Sequence, residues 1–96
     1  MDSFSFTATV WRHSGQSGWH FVTLPEDVAE AIRFFRPSKG FTPIAVAAEI
    51  GGTQWRTSVF PDSKSRSYLL ALKADVRKAE KIGHGDTVSV RLGLIG

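Results

Sequence analysis

Hydrophobic and polar positions alternate one by one through much of this chain. Phe4, Phe6, Ala8 and Val10 alternate with Ser5, Thr7 and Thr9. A period of two puts the sets on opposite faces of a half-buried strand. His13 to Gly18 is small, polar and glycine-containing, and predicts a turn. Trp19 to Leu24 is aromatic and β-branched, so a second strand follows, expected to pair with the first as an antiparallel hairpin. Further on, Ile44, Val46, Ala48 and Ile50 alternate with Ala45, Ala47 and Glu49. Gly51-Gly52 then predicts a two-residue hairpin, because primed turns need positive φ. Trp55, Thr57 and Val59 alternate with Gln54, Arg56 and Ser58 in the returning strand. Pro61 to Arg66 is a polar loop, Ser67 to Lys73 a fifth strand, and Val88, Val90, Leu92 and Leu94 share one face of the last.

Two segments change period. Pro25 opens a helix, where a missing N–H costs nothing, and Glu26 and Asp27 suit its positive end. Val28, Ile32 and Phe35 fall at i, i+4, i+7 and predict its buried stripe, with Pro37 and Gly40 as its stop. A shorter helix is expected over Ala74 to Ile82, with Leu72, Val76 and Ala79 as its apolar positions and Gly83 as its C′ residue. Six strands, tight turns and two short helices describe a mainly β fold, a small β-barrel or split barrel, in one domain over residues 1–96.

Composition narrows the class. The 96 residues are 42% hydrophobic and 22% charged, a globular balance. There is no cysteine, so neither a disulfide nor a Cys-based metal site is available, which suits a reducing compartment. Met1 to Phe6 has no basic or apolar leader character, and no apolar run approaches a membrane span of about 20 residues. A soluble, cytoplasmic protein without membrane contact is expected. The net charge of +3 is unevenly spread. Residues 1–35 hold two cations against four acids, a balance of −2, and residues 36–96 hold ten against five, a balance of +5. A basic half can attract phosphate-bearing partners, although Lys and Arg also simply solubilise a small surface.

The candidate chemistry is sparse. His13, His20 and His84 have no metal-ligand spacing, and no serine lies in a Gly-x-Ser-x-Gly elbow. No catalytic residues, metal or cofactor are expected. Gly83-His84-Gly85-Asp86 looks superficially like a phosphate loop, but it follows a helix and precedes a strand. Anion-binding glycines precede a helix, so these are read as a cap, a turn and a carboxylate bonding local backbone. Lys73, Arg77 and Lys81 fall at i, i+4, i+8, one face of the second helix, with Lys78 beside them; Lys64 and Arg66 lie in the preceding loop. This is the best basic patch, and Asp75 and Glu80 partly neutralise it. Trp11, Trp19, Trp55, Phe21, Phe60 and Tyr68 can serve as core or as stacking surfaces for bases or sugars. Trp11 falls on the side opposite Phe4, Phe6 and Ala8, so it hints at a binding surface if that side is solvent.

The order of these pieces resembles a bacterial domain-of-unknown-function family of small split β-barrels, sometimes joined to a YdeI/OmpD-associated bacteriocin-protection domain. The marks are Trp19-His20-Phe21-Val22 leading into Leu24-Pro25, and Gly51-Gly52 followed by Arg56-Thr57-Ser58. Pro61, Tyr68 to Lys73, Val76-Arg77-Lys78 and Gly85-Asp86-Thr87-Val88 continue the pattern. The resemblance implies a pseudo-barrel and no activity. The last third is also similar to AbrB/MazE-like transcription regulators, through Val76-Arg77-Lys78 and Gly85-Asp86-Thr87-Val88.

These readings converge on a non-enzymatic binding module for an anionic ligand or acidic protein partner. Arg56, Lys73, Arg77 and Lys81 are its candidate ligand-binding residues. Nucleic-acid binding through the same patch is the alternative, and a small-molecule enzyme the third reading.

Overall fold

The computed structural model describes residues 3–14, 18–37 and 42–95. Part of the expected first turn, residues 15–17, and the helix stop at Gly40 lie outside them. The strands are β1 (Ser3–Thr9), β2 (Trp11–Arg12), β3 (His20–Thr23), β4 (Ile44–Ile50), β5 (Thr53–Asp62), β6 (Ser67–Ala71) and β7 (Thr87–Leu94). The helices are α1 (Glu26–Phe35) and α2 (Ala74–Glu80). The fold is mainly β, as the alternation predicts.

The strands form one antiparallel sheet in the order β1-β7-β4-β5-β6-β3-β2. It curls so far that its first and last strands are joined by Val10 alone, giving a barrel-like half-closed sheet. The count is seven where six are expected, because Val10 divides the first strand. Its N–H donates to Asp86 O and its carbonyl accepts from Gly85 N–H, both at 2.8 Å. On one side of this break the chain pairs with β7, on the other with β3. The expected first hairpin is therefore reduced to two pairs, Trp11 with Phe21 and Arg12 with His20.

Alternation sorts the side chains as expected. Val22, Leu70, Val59 and Ile44 are cross-strand neighbours in one buried row. Val46, Ala48, Ile50, Val88, Val90 and Leu92 extend the buried face. The Gly51-Gly52 turn joins the Ile50–Thr53 pair, and Gly51 takes φ +58°. Of the two glycines Gly51 alone is positive, the pattern of a type II′ turn.

Each helix departs from its expected detail. Pro25 stands at the cap of α1 rather than inside its first turn. Val28, Ala29 and Ile32 are buried, whereas Phe35 is 44% exposed. At 3.6 residues per turn, the three buried residues centre on a direction roughly 65° from Phe35. Phe35 leans instead on Phe4, at 6.5 Å between ring centroids, and edge-on against Phe34 at 5.3 Å.

Helix α2 stops at Glu80, before the expected Ile82, and Ala79 is exposed. Lys81, not Gly83, takes the left-handed position, with φ 56° and ψ 49°. Ile82 N–H donates to Arg77 O at 2.8 Å and Lys81 N–H to Lys78 O at 3.4 Å. These are the two bonds of a Schellman closure, which usually carries glycine. Lys81→Gly is accordingly expected to raise stability by about 0.5–1 kcal/mol, read as an upward shift of the urea midpoint at unchanged slope.

Loops hold themselves by side-chain bonds. In the β5–β6 turn, the Ser65 hydroxyl and N–H donate to Asp62 Oδ2 at 2.7 and 3.1 Å. The hydroxyl bond foremost holds the Asp62 carboxyl below its ordinary range. In the corner before β7, Gly85 takes φ +92°, and Gly83 N–H donates to Asp86 Oδ2 at 2.8 Å, as the sequence reading requires. His84 Nδ1 accepts Arg12 N–H at 3.0 Å, which ties this corner to β2. Among the described residues, no helix is long and apolar enough to cross a membrane.

Candidate functional site

The helical spacing of Lys73, Arg77 and Lys81 gives a shared face only if all three residues are helical. Here Lys73 is the cap before α2 and Lys81 the reversal after it. Arg77 is half-buried, and its Nε donates to Leu72 O at 3.1 Å. Lys81 borders a depression together with Glu80 and Asp86, whose charges oppose its own. Glu80 does more than neutralise the helix. It accepts the Thr53 hydroxyl at 2.6 Å and lies where a side chain on Gly51 would go.

Arg56 and Lys73 are related by strand register instead. Each lies three residues beyond the Val59–Leu70 pair, at the same end of β5 and β6. Both are exposed, and neither side chain has a hydrogen bond or ion pair among the described residues. Arg56 also borders a depression of about 520 Å³ on the outer face, floored by Ala47 and Gly93 and flanked by Arg91. Arg91 there pairs with Glu49 across the strands at 3.6 Å.

The outer face continues into an aromatic surface. Because Val22, Val59 and Leu70 point inward, their neighbours Phe21, Phe60 and Leu69 point outward. His13, Trp19, Phe21, Phe60, Leu69 and Ala71 line a depression of about 440 Å³. Trp19 is 56% exposed and Phe60 43%. Trp19 lies nearly parallel to Phe21, at 6.1 Å and 13°. Trp11 packs on the same ring at 5.1 Å, and its Nε1–H donates to Thr23 Oγ1 at 3.0 Å. Trp11 is thus a half-buried outer-face residue.

The ladder brings this surface to Lys73, and Arg56 lies farther along the same outer face of β5. Leu72 N–H donates to His20 O at 2.9 Å, one step beyond the β3–β6 pairs. Trp19 and Lys73 are the next residues at that end of their strands. The other aromatics go elsewhere: Tyr68 is buried with Arg33 5.4 Å above its ring, and Trp55 packs on the core with no partner for its indole N–H among the described residues. Strand parity was the available signal for the aromatic depression, since Val22 inside requires Phe21 outside.

Residues 6–92 match a family described as a domain of unknown function, DUF1905. The chain belongs to the DUF1905 family. The matched span contains both cations and all the residues of the aromatic depression. It includes both helices and, apart from the outer ends of β1 and β7, the curled sheet of this DUF1905 fold, and the family description assigns it no activity. No curated protein matches the chain. Among the described residues of this DUF1905 domain, no three His, Asp or Glu side chains are grouped to hold a metal ion.

Proposed function

We propose that this DUF1905 domain is a non-enzymatic binding module that takes an anionic ligand, or an acidic segment of a protein, on the outer face of its sheet. The observation that carries this reading is the pair Arg56 and Lys73, two exposed cations without partners among the described residues, toward one end of β5 and β6. A cation already held by a carboxylate offers little to a ligand, and an unpaired one offers its full charge. Arg77 contributes less, because its guanidinium is engaged with Leu72 O. Lys81 contributes less, because it shares its depression with the acids Glu80 and Asp86. A cytoplasmic location and a split-barrel kinship belong to the same reading, supported by the absence of cysteine and by the curled sheet. The likeness of the last third to AbrB/MazE-like regulators rests on its helix and Gly-Asp corner.

The test is titration with a heparin oligosaccharide and an oligoglutamate peptide, followed by tryptophan emission. Exposed charge contacts contribute about 0.2–1 kcal/mol each. Arg56→Ala with Lys73→Ala is therefore expected to weaken binding about 2- to 30-fold. Arg77→Ala with Lys81→Ala should change it less than the first pair does. Binding that ignores both pairs, or no binding to either polyanion at low salt, rejects the reading.

A further inference from the structure

The geometry points to single-stranded nucleic acid as the ligand of this outer face, with bases stacked on Trp19 and Phe60 and phosphates held by Arg56 and Lys73. This inference rests on the anionic-ligand reading and names its chemistry.

Two kinds of recognition meet at one sheet end. The aromatic depression offers ring faces and almost no hydrogen bonding. Of its six residues, only His13 and Trp19 carry polar side-chain atoms. A sugar needs several hydroxyl partners, and this lining does not supply them. An acidic peptide satisfies the cations but leaves the rings without planar partners. A nucleobase needs only a π-face, because every base can stack on an aromatic ring whatever its edge pattern. Trp19 is already backed by Phe21 at 6.1 Å, which holds its plane while more than half of the residue stays open.

The charges sit where a backbone would run. Lys73 follows Ala71 of the depression by two residues, and Arg56 precedes Phe60 by four on the same face of β5. At about 3.3 Å per residue, Arg56 lies roughly 13 Å along the strand from Phe60. A strand of nucleotides can therefore lay bases over the rings and pass phosphates to the two cations. A duplex cannot, because its base faces are already stacked inside the helix.

The test compares a fluorescein-labelled dT 12-mer, the same oligonucleotide as a duplex, and an oligoglutamate peptide. The whole chain is titrated at low and physiological salt. The single strand is expected to bind best. Trp19→Ala and Phe60→Ala should each weaken it about 5- to 150-fold, the range of one lost base stack. Trp19→Phe should recover most of the loss. Arg56→Ala and Lys73→Ala should each flatten the slope of log affinity against log salt by about 0.7. Thermal unfolding of each variant checks that the change is not loss of fold, and the exposure of both rings predicts a small shift. Equal affinity for duplex and single strand, with Trp19→Ala and Phe60→Ala silent, overturns the inference and leaves charge-based binding standing. Binding of oligoglutamate with no binding of the 12-mer does the same. Silence toward all three probes at low salt overturns the inference and the anionic-ligand reading together.

Discussion

Replacing Gly51 with alanine is expected to lower stability by about 2–4 kcal/mol, although the residue is exposed and at the tip of a hairpin. Two costs combine. At φ +58° an L side chain is strained, by about 1–2 kcal/mol. The new Cβ would also land on the Glu80 carboxylate, which must swing aside, and the second cost is whatever its bond to Thr53 loses in that move. That hydrogen bond, at 2.6 Å to a charged acceptor, is the described side-chain link between α2 and the β4–β5 hairpin. Gly52 is the control: a Cβ there meets nothing within 4 Å and its φ is not positive, so Gly52→Ala should stay within about 0.5 kcal/mol of wild type. Removing Glu80 first isolates the second cost. In a Glu80→Ala background, Gly51→Ala should cost only the backbone strain, giving a coupling of about 1–2 kcal/mol in a double-mutant cycle. Strict additivity of the two changes would show that the helix does not clamp the turn.

The same contrast separates what could be read from the chain and what could not. Inside-outside parity was readable, because a curled sheet has one buried face. Ile44, Val46, Ala48 and Ile50 in β4, and Val88, Val90 and Leu92 in β7, are buried as their alternation requires. The Gly51-Gly52 turn and the Gly85-Asp86 corner were readable too, since positive φ and a carboxylate reaching local N–H groups are local properties. Strand partners were not. Nothing near Phe4 or Phe6 announces that β1 lies against β7, more than 80 residues away, while Trp11 lies against β3. The pairing is decided by which apolar faces can be buried together.

Helix ends were the other gap. Lys81 adopts a left-handed conformation that glycine usually fills, so the stop at Gly83 looked natural and was two residues late. That shift bears directly on the candidate site. Spacing alone puts Lys73, Arg77 and Lys81 on one face, but the helix spans only Ala74–Glu80, with Lys73 at its cap and Lys81 at the reversal after it. Strand register instead sets Arg56 and Lys73 toward one end of β5 and β6, which spacing within a helix cannot reveal. The aromatic depression was within reach of parity, and only its joining of β3, β5 and β6 needed the tertiary fold.

Leu70→Ala and Leu69→Ala should behave as opposites, and their difference tests core and site at once. Leu70 is fully buried between Val22 and Val59, in the row that continues to Ile44. Truncating it removes buried surface and leaves a cavity whose walls belong to different strands, so they cannot all relax toward it. The expected cost is about 2–5 kcal/mol. A small domain holds about 5–15 kcal/mol in total, so much of the stability would go. With a urea slope of about 1–3 kcal/mol/M, the unfolding midpoint should fall by about 1 M or more. Leu69 is one residue away but on the outer face, where it lines the depression beside Phe60 and Phe21. Leu69→Ala should cost about 1 kcal/mol or less, while weakening any ligand that rests on the aromatic surface. Urea unfolding of both variants, with binding measured on each folded protein, decides between this arrangement and its inverse. A large loss at Leu69 with tolerance at Leu70 would mean that the faces are exchanged. Trp19 and Phe60 would then belong to the core and could not receive a ligand.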